Sequence, residues 1–394
     1  MVRLKIGPGM LLVLGLAACD VLGTEAPDGA DLLDSPIDDL TPEQLEAFVR
    51  GDAEFGRAFA PATGLGPLFN DIACAACHSG DGRGLPGNIL QRFGSAGDGR
   101  GGPQLQTRAI PGAIPERLPD GVAVSLRLPP PVFGVGLIEA IPESAILANA
   151  DPDDADRDGI SGRPNLVMPA VYVPATEPGG GAGLRVGRFG RKAQVSSLLE
   201  QTVEAYHQDM GITSPFRPNE NVDAAIDPVS AAADVVPDPE IPASTVMAVV
   251  AYLRMLAPPA YGADTGGRAL FDQVGCAACH VPELRTGAST IAALTDRTVP
   301  LYSDLLLHDM GEELADGRPD GAADGREWRT TPLWGLRVAR DFLDGALFLM
   351  HDGRARTIEE AIELHAGEAT QARARFRALS PDDRALLLEF VGSR

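Results

Sequence analysis

Residues 74–78 read Cys-Ala-Ala-Cys-His, and residues 276–280 repeat the same five letters. Two thiols at this spacing can bond both vinyl groups of one porphyrin, and the adjacent His can bind its iron. A zinc ribbon would need four ligands, and a redox dithiol needs no following His. The two strings therefore predict two covalent c-type haems, each held by two thioethers and one proximal His: Cys74, Cys77 and His78 for the first, and Cys276, Cys279 and His280 for the second.

The composition is that of a soluble globular protein with room for two cores. The chain has 394 residues, of which 44% are hydrophobic and 22% charged. Asp and Glu number 55 against 33 Lys and Arg. This acidic balance argues against nucleic acid and anionic lipid as partners and favours a basic docking partner.

The N-terminus has the features of an export signal. Arg3 and Lys5 precede an apolar stretch, Met10 to Ala18, that is too short to span a bilayer. The signal peptide is therefore predicted over residues 1–18. Its end, Leu-Ala-Ala-Cys19, is typical of bacterial lipoproteins, so Cys19 is the predicted lipidation site; the alternative is an ordinary signal peptide and an unmodified Cys. Asp20 favours retention at the inner membrane, on its periplasmic face.

The rest of the chain is predicted to form a tether and two mostly α-helical domains. Residues 19–40 are acidic and rich in Gly, Pro and Asp, which indicates a tether. Order is expected from Thr41, where Thr-Pro-Glu-Gln has the signature of a helix start. The Pro- and Asp-rich stretch 216–242 separates an N-terminal haem domain, 41–236, from a C-terminal cytochrome c-like domain, 237–394. Runs that alternate apolar and polar residues are few, so long Gly- and Pro-rich loops complete the fold.

Sixth iron ligands decide whether a haem transfers electrons or does chemistry. His365 lies on a predicted helix that begins after the capping residue Thr357 and ends at Gly367. It shares an apolar face of that helix, so the alternative is an ordinary core His. His308 and Met310 are rivals for the second haem, and the pattern alone leaves this choice open.

An acidic loop is a candidate calcium site. Asp154, Asp156 and Asp158 alternate before Gly159, and Asn165 falls at the twelfth position of the loop. A full EF-hand has a Glu at that position and a helix on each side. The alternative is a solvated acidic turn without a metal ion.

Further motifs accompany the haem strings. They are FNDIACAACH at 69–78, RLPPPVFGVGLIEAIP at 127–142, DGISGRPN at 158–165, GRFGRKA at 187–193, QDMGIT at 208–213, LLLHDMGEELADG at 305–317, RTTPLWGL at 329–336 and FLMHDGRARTIEEAIELH at 348–365. Together they resemble the bacterial di-haem cytochrome c peroxidase and MauG superfamily, most closely its di-haem oxidoreductase, or di-haem peroxidase, branch.

The resemblance implies different roles for the two haems. The first is catalytic, with an open or displaceable distal side, and the second transfers electrons. His365 is implied as the distal ligand of the second haem, giving a bis-His site. Glu139 is implied as the acid–base carboxylate at the first haem, with Glu143 as runner-up. His207 and Met210 could occupy the sixth position of the first iron in a resting form.

The sequence also departs from the family pattern. Many relatives carry a Trp between the haems, sometimes in the motif GRFGWKA, where Arg191 stands here, and the chain has no Trp besides Trp328 and Trp334. Electron exchange then needs Trp334 or another route. His351 is expected near the inter-haem region, or in packing. His in place of Met at position 365 implies a lower potential for the second haem.

The implied function is that of a cytochrome c peroxidase. It would reduce hydrogen peroxide at the N-terminal haem with electrons that pass through the C-terminal haem from a small redox protein or cytochrome. One rival is a MauG-like oxidase of a protein or organic substrate. The other is a pure electron-transfer cytochrome in which both irons have six ligands.

Overall fold

The computed structural model describes residues 33–78, 82, 84–94, 104–225, 227–263, 266–339 and 346–394. It is 34% helical and 11% strand, so helix outweighs strand, as predicted, in a mixed to mostly α fold. The predictions for residues 1–32, including the signal peptide and Cys19, lie outside these ranges. In the ranges described, every helix is too short or too polar to cross a membrane.

Short helices and strand pairs alternate along the chain. The helices are α1 (Pro42–Phe55), α2 (Cys74–Cys77), α3 (Val135–Ala140), α4 (Glu143–Leu147), α5 (Leu198–Asp209), α6 (Pro228–Ala231), α7 (Ala243–Met255), α8 (Arg268–Val274), α9 (Leu336–Ala339), α10 (Ile358–Leu364), α11 (Thr370–Ala378) and α12 (Pro381–Gly392). The strands are β1 (Leu68–Phe69), β2 (Leu90–Phe93), β3 (Arg108–Ala109), β4 (Val124–Arg127), β5 (Leu166–Val167), β6 (Arg185–Val186), β7 (Leu284–Arg285), β8 (Thr298–Val299), β9 (Leu307–Asp309) and β10 (Glu327–Arg329). They pair antiparallel as β1–β3, β2–β4, β5–β6, β7–β8 and β9–β10.

The first long helix starts where the sequence predicts. The Thr41 hydroxyl accepts from Gln44 N at 3.2 Å, and the Gln44 side chain accepts from Thr41 N at 2.9 Å. The described residues before Thr41 are also packed, whereas the prediction of a tether over 19–40 as a whole stays a prediction. Leu33 and Ile37 are buried in the core, and Ile37 N donates to Met255 O at 2.7 Å. Burial of these two apolar side chains outweighs the acidic composition around them.

Helix α7 packs in the N-terminal core. It lies against α1 and α5, and the rings of Phe48 and Tyr252 are 4.9 Å apart. The predicted domain boundary at residue 237 stays a prediction, but it falls ahead of a helix that packs with the first half of the chain. A separate core joins α8, α11 and α12 through Phe271, Phe376 and Phe390.

Gly51 permits the close crossing of α1 and α7. A Cβ at this position would overlap Ala248 O and come 2.6 Å from the Tyr252 Cβ.

We expect Gly51→Ala to lower the free energy of unfolding by about 1–3 kcal/mol, because the backbone of α7 cannot yield without separating the helices. Urea denaturation followed by circular dichroism measures this change. Gly87→Ala is the matched control, since nothing lies within 4 Å of its Cβ, and equal stability of the two variants would contradict the prediction.

Candidate functional site

The two Cys-Ala-Ala-Cys-His strings line two internal cavities. The N-terminal cavity, of about 270 Å³, is lined by Cys74, Cys77 and His78 among others. The C-terminal cavity, of about 310 Å³, is lined by Cys276, Cys279 and His280. Both are near the lower end of the range of small-molecule sites, roughly 300–1,000 Å³. All six predicted attachment residues thus lie on cavity walls.

His280 and His365 face each other in the C-terminal cavity. Their ring centroids are 6.5 Å apart. Two imidazoles that bind one metal ion from opposite sides, with metal–nitrogen bonds of about 2 Å, need centroids about 6 Å apart. His280 Nδ1 donates to Tyr302 O at 2.9 Å and His365 Nδ1 to Ala361 O at 2.6 Å, which leaves each Nε2 to bind the metal. The residues present fit a bis-His haem.

Burial keeps these imidazoles neutral, as metal binding requires. It lowers the pKa of His280 to about 4 and also lowers the pKa of His365. At the N-terminal cavity, burial lowers the pKa of His78 to about 4. All three rings therefore carry the lone pair that a metal ligand needs near neutral pH.

His308 and Met310, the rivals of His365 as ligands of the second iron, have different side-chain contacts. His308 Nε2 bonds to Asp304 Oδ2 at 2.8 Å and its Nδ1 to Glu368 Oε2 at 2.7 Å, so neither ring nitrogen is left for iron. Met310 lines the C-terminal cavity. The ring that faces His280 is nevertheless that of His365, which favours His365 over both rivals.

One face of α5 forms a wall of the N-terminal cavity. Ser197 caps this helix, accepting from Glu200 N at 3.1 Å. Gln201 and Thr202 line the cavity, and Thr202 is only 4% exposed. Gln201 Oε1 and Thr202 Oγ1 are buried without a hydrogen-bond partner in the part of the chain described. Unpaired buried polar atoms are costly, so this wall fits a bound group that supplies their partners.

Glu139 and Glu143, which the resemblance implies as acid–base carboxylates, form hydrogen bonds within the protein. Glu139 is buried; its Oε2 accepts from Arg254 Nε and its Oε1 from Leu198 N, at 2.6 and 2.8 Å. Glu143 Oε1 accepts from Val186 N at 3.1 Å. Neither is among the described residues that line the N-terminal cavity. Their catalytic assignment stays a prediction, without geometric support.

A different carboxylate, Asp209, lines the N-terminal cavity at the end of α5. Burial raises its pKa to about 6, and its Oδ1 accepts from the Gln104 side chain. Its carbonyl accepts from Asn70 N at 2.7 Å and Asp71 N at 3.1 Å, just before the first haem string. Sequence reasoning missed Asp209, although QDMGIT contains it and the apolar period of α5 places it on the face of Leu198 and Thr202.

His207 and Met210, the two candidate sixth ligands of the first iron, differ in their position relative to the N-terminal cavity. His207 Nε2 bonds to Asn219 O and its Nδ1 to the Gln208 amide, both at 3.0 Å. His207 is not among the described residues of the cavity wall, whereas Met210 is. Met210 is therefore the better placed of the two to approach an iron in this cavity.

The model of the family described as di-haem oxidoreductase, putative peroxidase, matches residues 112–394. The chain belongs to this family. The match confirms the family predicted from the motifs and supports haem as the cofactor; it includes the second haem string and begins after the first. No curated protein matches. A solved structure of Kuenenia stuttgartiensis hydrazine synthase is 16% identical, with 100% of this chain and 99% of that chain covered, and its TM-score of 0.36 is too low to support an argument.

The two cavities of this di-haem oxidoreductase share one wall. Arg191, Arg329, Thr331 and Pro332 line both cavities, and Arg329 N donates to Arg191 O at 3.0 Å. In the part of the chain described, the residues common to both linings include no aromatic side chain.

Each of the two Trp residues lines one of the two cavities. Trp334 lines the N-terminal cavity. Trp328 lines the C-terminal cavity and stacks on His351, with ring centroids 3.6 Å apart. His351 thus lines the C-terminal cavity and packs against an aromatic ring, and its place in the inter-haem region stays a prediction.

The acidic loop of this di-haem oxidoreductase differs from its prediction. Asp151, Asp154 and Asp156 bring carboxylate oxygens within 4.8 Å of one another, and Asp158 is not part of this group. The prediction of Asn165 as a ligand is corrected. Asn165 is fully buried, its Nδ2 donates to Lys192 O and Asp320 O, and its Oδ1 accepts from Ala322 N.

Glu139 can be tested as a structural residue. We expect Glu139→Gln to lower the free energy of unfolding by on the order of 2 kcal/mol, because the buried Arg254 guanidinium loses one of its two charged partners and keeps only Glu177. Glu46→Gln is the control; it removes an exposed pair with Arg50, worth below about 0.5 kcal/mol. Urea titrations compare the two variants, and a loss no larger than the control's would refute the structural role.

Proposed function

We propose that the chain is a di-haem c-type peroxidase that reduces hydrogen peroxide at the N-terminal cavity with electrons received through the C-terminal cavity. Two electrons and two protons convert one peroxide to two waters. One observation carries the proposal: the two axial environments are unequal. The C-terminal cavity has His280 and His365 face to face, whereas His78 is the one His among the described residues that line the N-terminal cavity. An iron with two protein ligands has no position for peroxide, and an iron with one does.

Each part of the N-terminal site has a proposed task. Cys74 and Cys77 would hold the porphyrin as thioethers, and His78 would bind its iron, which supplies the redox chemistry. Asp209 accepts a proton from peroxide and returns it to the departing oxygen, so that the oxygen leaves as water. Gln201 and Thr202, whose polar atoms are unpaired in the cavity wall, bind and orient the peroxide oxygens.

The proposal extends to location and partners. It includes export, lipidation at Cys19 and anchoring at the periplasmic face of the inner membrane. The electron donor is a small redox protein or cytochrome; the 55 acidic against 33 basic residues favour a donor with a basic surface. Calcium would bind at the loop of Asp151, Asp154 and Asp156, where carboxylates supply the oxygen ligands that calcium prefers.

A pure electron-transfer cytochrome is the second candidate. The observation that favours it is Met210 in the wall of the N-terminal cavity, since Met on this iron would close the site. Spectra of the oxidised and half-reduced protein separate the two functions. A high-spin signal from one haem together with peroxide consumption supports the peroxidase, and two low-spin haems that ignore peroxide in both states support the carrier.

Covalent attachment has a direct test. Intact mass and in-gel haem staining of the mature protein should show two haems. The variants Cys74→Ala/Cys77→Ala and Cys276→Ala/Cys279→Ala should each retain one, because thioether bonds survive denaturation and each string holds its own group. A wild-type protein without covalently bound haem would refute the proposed function.

Peroxidase activity tests whether Asp209 or Glu139 is the acid–base residue. We expect Asp209→Asn to lower kcat/KM for peroxide by about 10²–10⁴-fold, the usual contribution of a general acid–base. Since only the ionised carboxylate accepts a proton and its pKa is raised to about 6, wild-type activity should rise with pH through about 6, and this rise should be absent from Asp209→Asn. Peroxide reduction by a reduced cytochrome measures both. If Glu139→Gln lost this rise and Asp209→Asn kept it, the acid–base residue would be Glu139, as the family resemblance implies.

A further inference from the structure

Three ionisable side chains, two of them buried, lie beside the C-terminal cavity. His308 is 3% exposed and Asp304 1%, and both His308 and Glu368 line the cavity. His308 bonds to Asp304 through Nε2 and to Glu368 through Nδ1, at 2.8 and 2.7 Å. Ionised carboxylates only accept hydrogen bonds, so the ring donates from both nitrogens and carries a positive charge. We name these residues the Asp304–His308–Glu368 triad.

The charge on His308 agrees with its surroundings. Burial alone lowers the pKa of an imidazole, but here the hydrogen bonds to Asp304 and Glu368 raise the pKa well above its usual value. A buried imidazolium between two carboxylates is held more firmly than a neutral ring, because both hydrogen bonds are charge-assisted.

The triad reaches both segments that carry the facing histidines. At one end, Asp304 N donates to Cys279 O at 3.0 Å, next to His280, and His308 Nδ1 lies 3.6 Å from Cys279 Sγ. At the other end, Glu368 is in the 3₁₀ turn Gly367–Ala369, three residues after His365. One continuous chain of hydrogen bonds therefore joins the second haem string to the segment of the opposite ligand.

Two further contacts fix the Glu368 end. Glu368 Oε1 accepts from Ser161 Oγ at 2.6 Å and from Asp309 N at 3.3 Å. Gly367, with φ +55°, presses against β9, where a Cβ would overlap Asp309 O. The turn after His365 is thus held against the strand that carries His308.

We propose that His308 is a positioning residue for the C-terminal metal site: through Glu368 and Asp304 it holds the His365 segment at the separation from His280 that two axial ligands require. This inference rests on the proposed haem at His280. His308 does not bind the iron, since both ring nitrogens are engaged by carboxylates. Loss of the imidazolium would leave Glu368 held by Ser161 and Asp309 alone. The turn would then be held less firmly, and His365 would leave the iron more easily.

The test uses the full-length protein with both haems. In the fully reduced protein, the slow phase of carbon monoxide binding reports the departure of His365 from the iron, and His365→Ala should abolish that slow phase. We expect His308→Gln and Glu368→Gln each to accelerate the slow phase at least tenfold and to shift the low-spin electron paramagnetic resonance signal of the oxidised haem. The double variant should match the single variants, because both act through one chain of contacts.

His207→Gln is the matched control, because His207 is also a buried His with two hydrogen-bonded nitrogens. It should leave the slow phase and the low-spin signal unchanged. If His308→Gln does not accumulate, Glu368→Gln decides alone, since Gln keeps the oxygen that accepts from Ser161 and Asp309.

Three outcomes are distinguishable. Variants with full haem content, a wild-type carbon monoxide rate and a wild-type low-spin signal would overturn the positioning role, even if they melted at a lower temperature. A wild-type protein without two covalent haems would instead refute the proposed function. A slow phase that survives His365→Ala would refute the ligand assignment and the positioning role with it.

Discussion

A buried cation, Lys192, joins the two halves of the chain. Its side chain is inaccessible to solvent, and its Nζ donates to Asp316 Oδ1, Arg318 O and Asp324 O at 2.7–2.8 Å. An ammonium group has three hydrogens, so all its donors are satisfied and its burial is compensated. The neighbouring Arg191 is thereby fixed in the wall between the cavities.

The same region gathers other charges into one network. Asp320 pairs with Arg127, Arg92 and Arg318, and these guanidinium groups lower its pKa to about 2, although burial alone would raise it. Carboxylates from the second half of the chain thus neutralise arginines from the first. Charged groups packed in this way fix the orientation of the halves, because any displacement leaves a buried charge without its partner.

Sequence reasoning succeeded where the chemistry is local. The cap at Thr41 and the cap at Thr357, which accepts from Glu360 N at 3.0 Å, depend on neighbours within a few residues. It could not identify the partner of Glu139, because Arg254, 115 residues further on, determines where that carboxylate points. The helical period marked the inward face of α5, but only the tertiary fold shows that this face borders a cavity and contains Asp209.

The shared wall has a mechanical consequence. Thr331 and Pro332 present one surface to each cavity, and the proline ring restricts the backbone there. A shift of this segment toward one cavity would move it away from the other, so the shapes of the two cavities are linked at this wall.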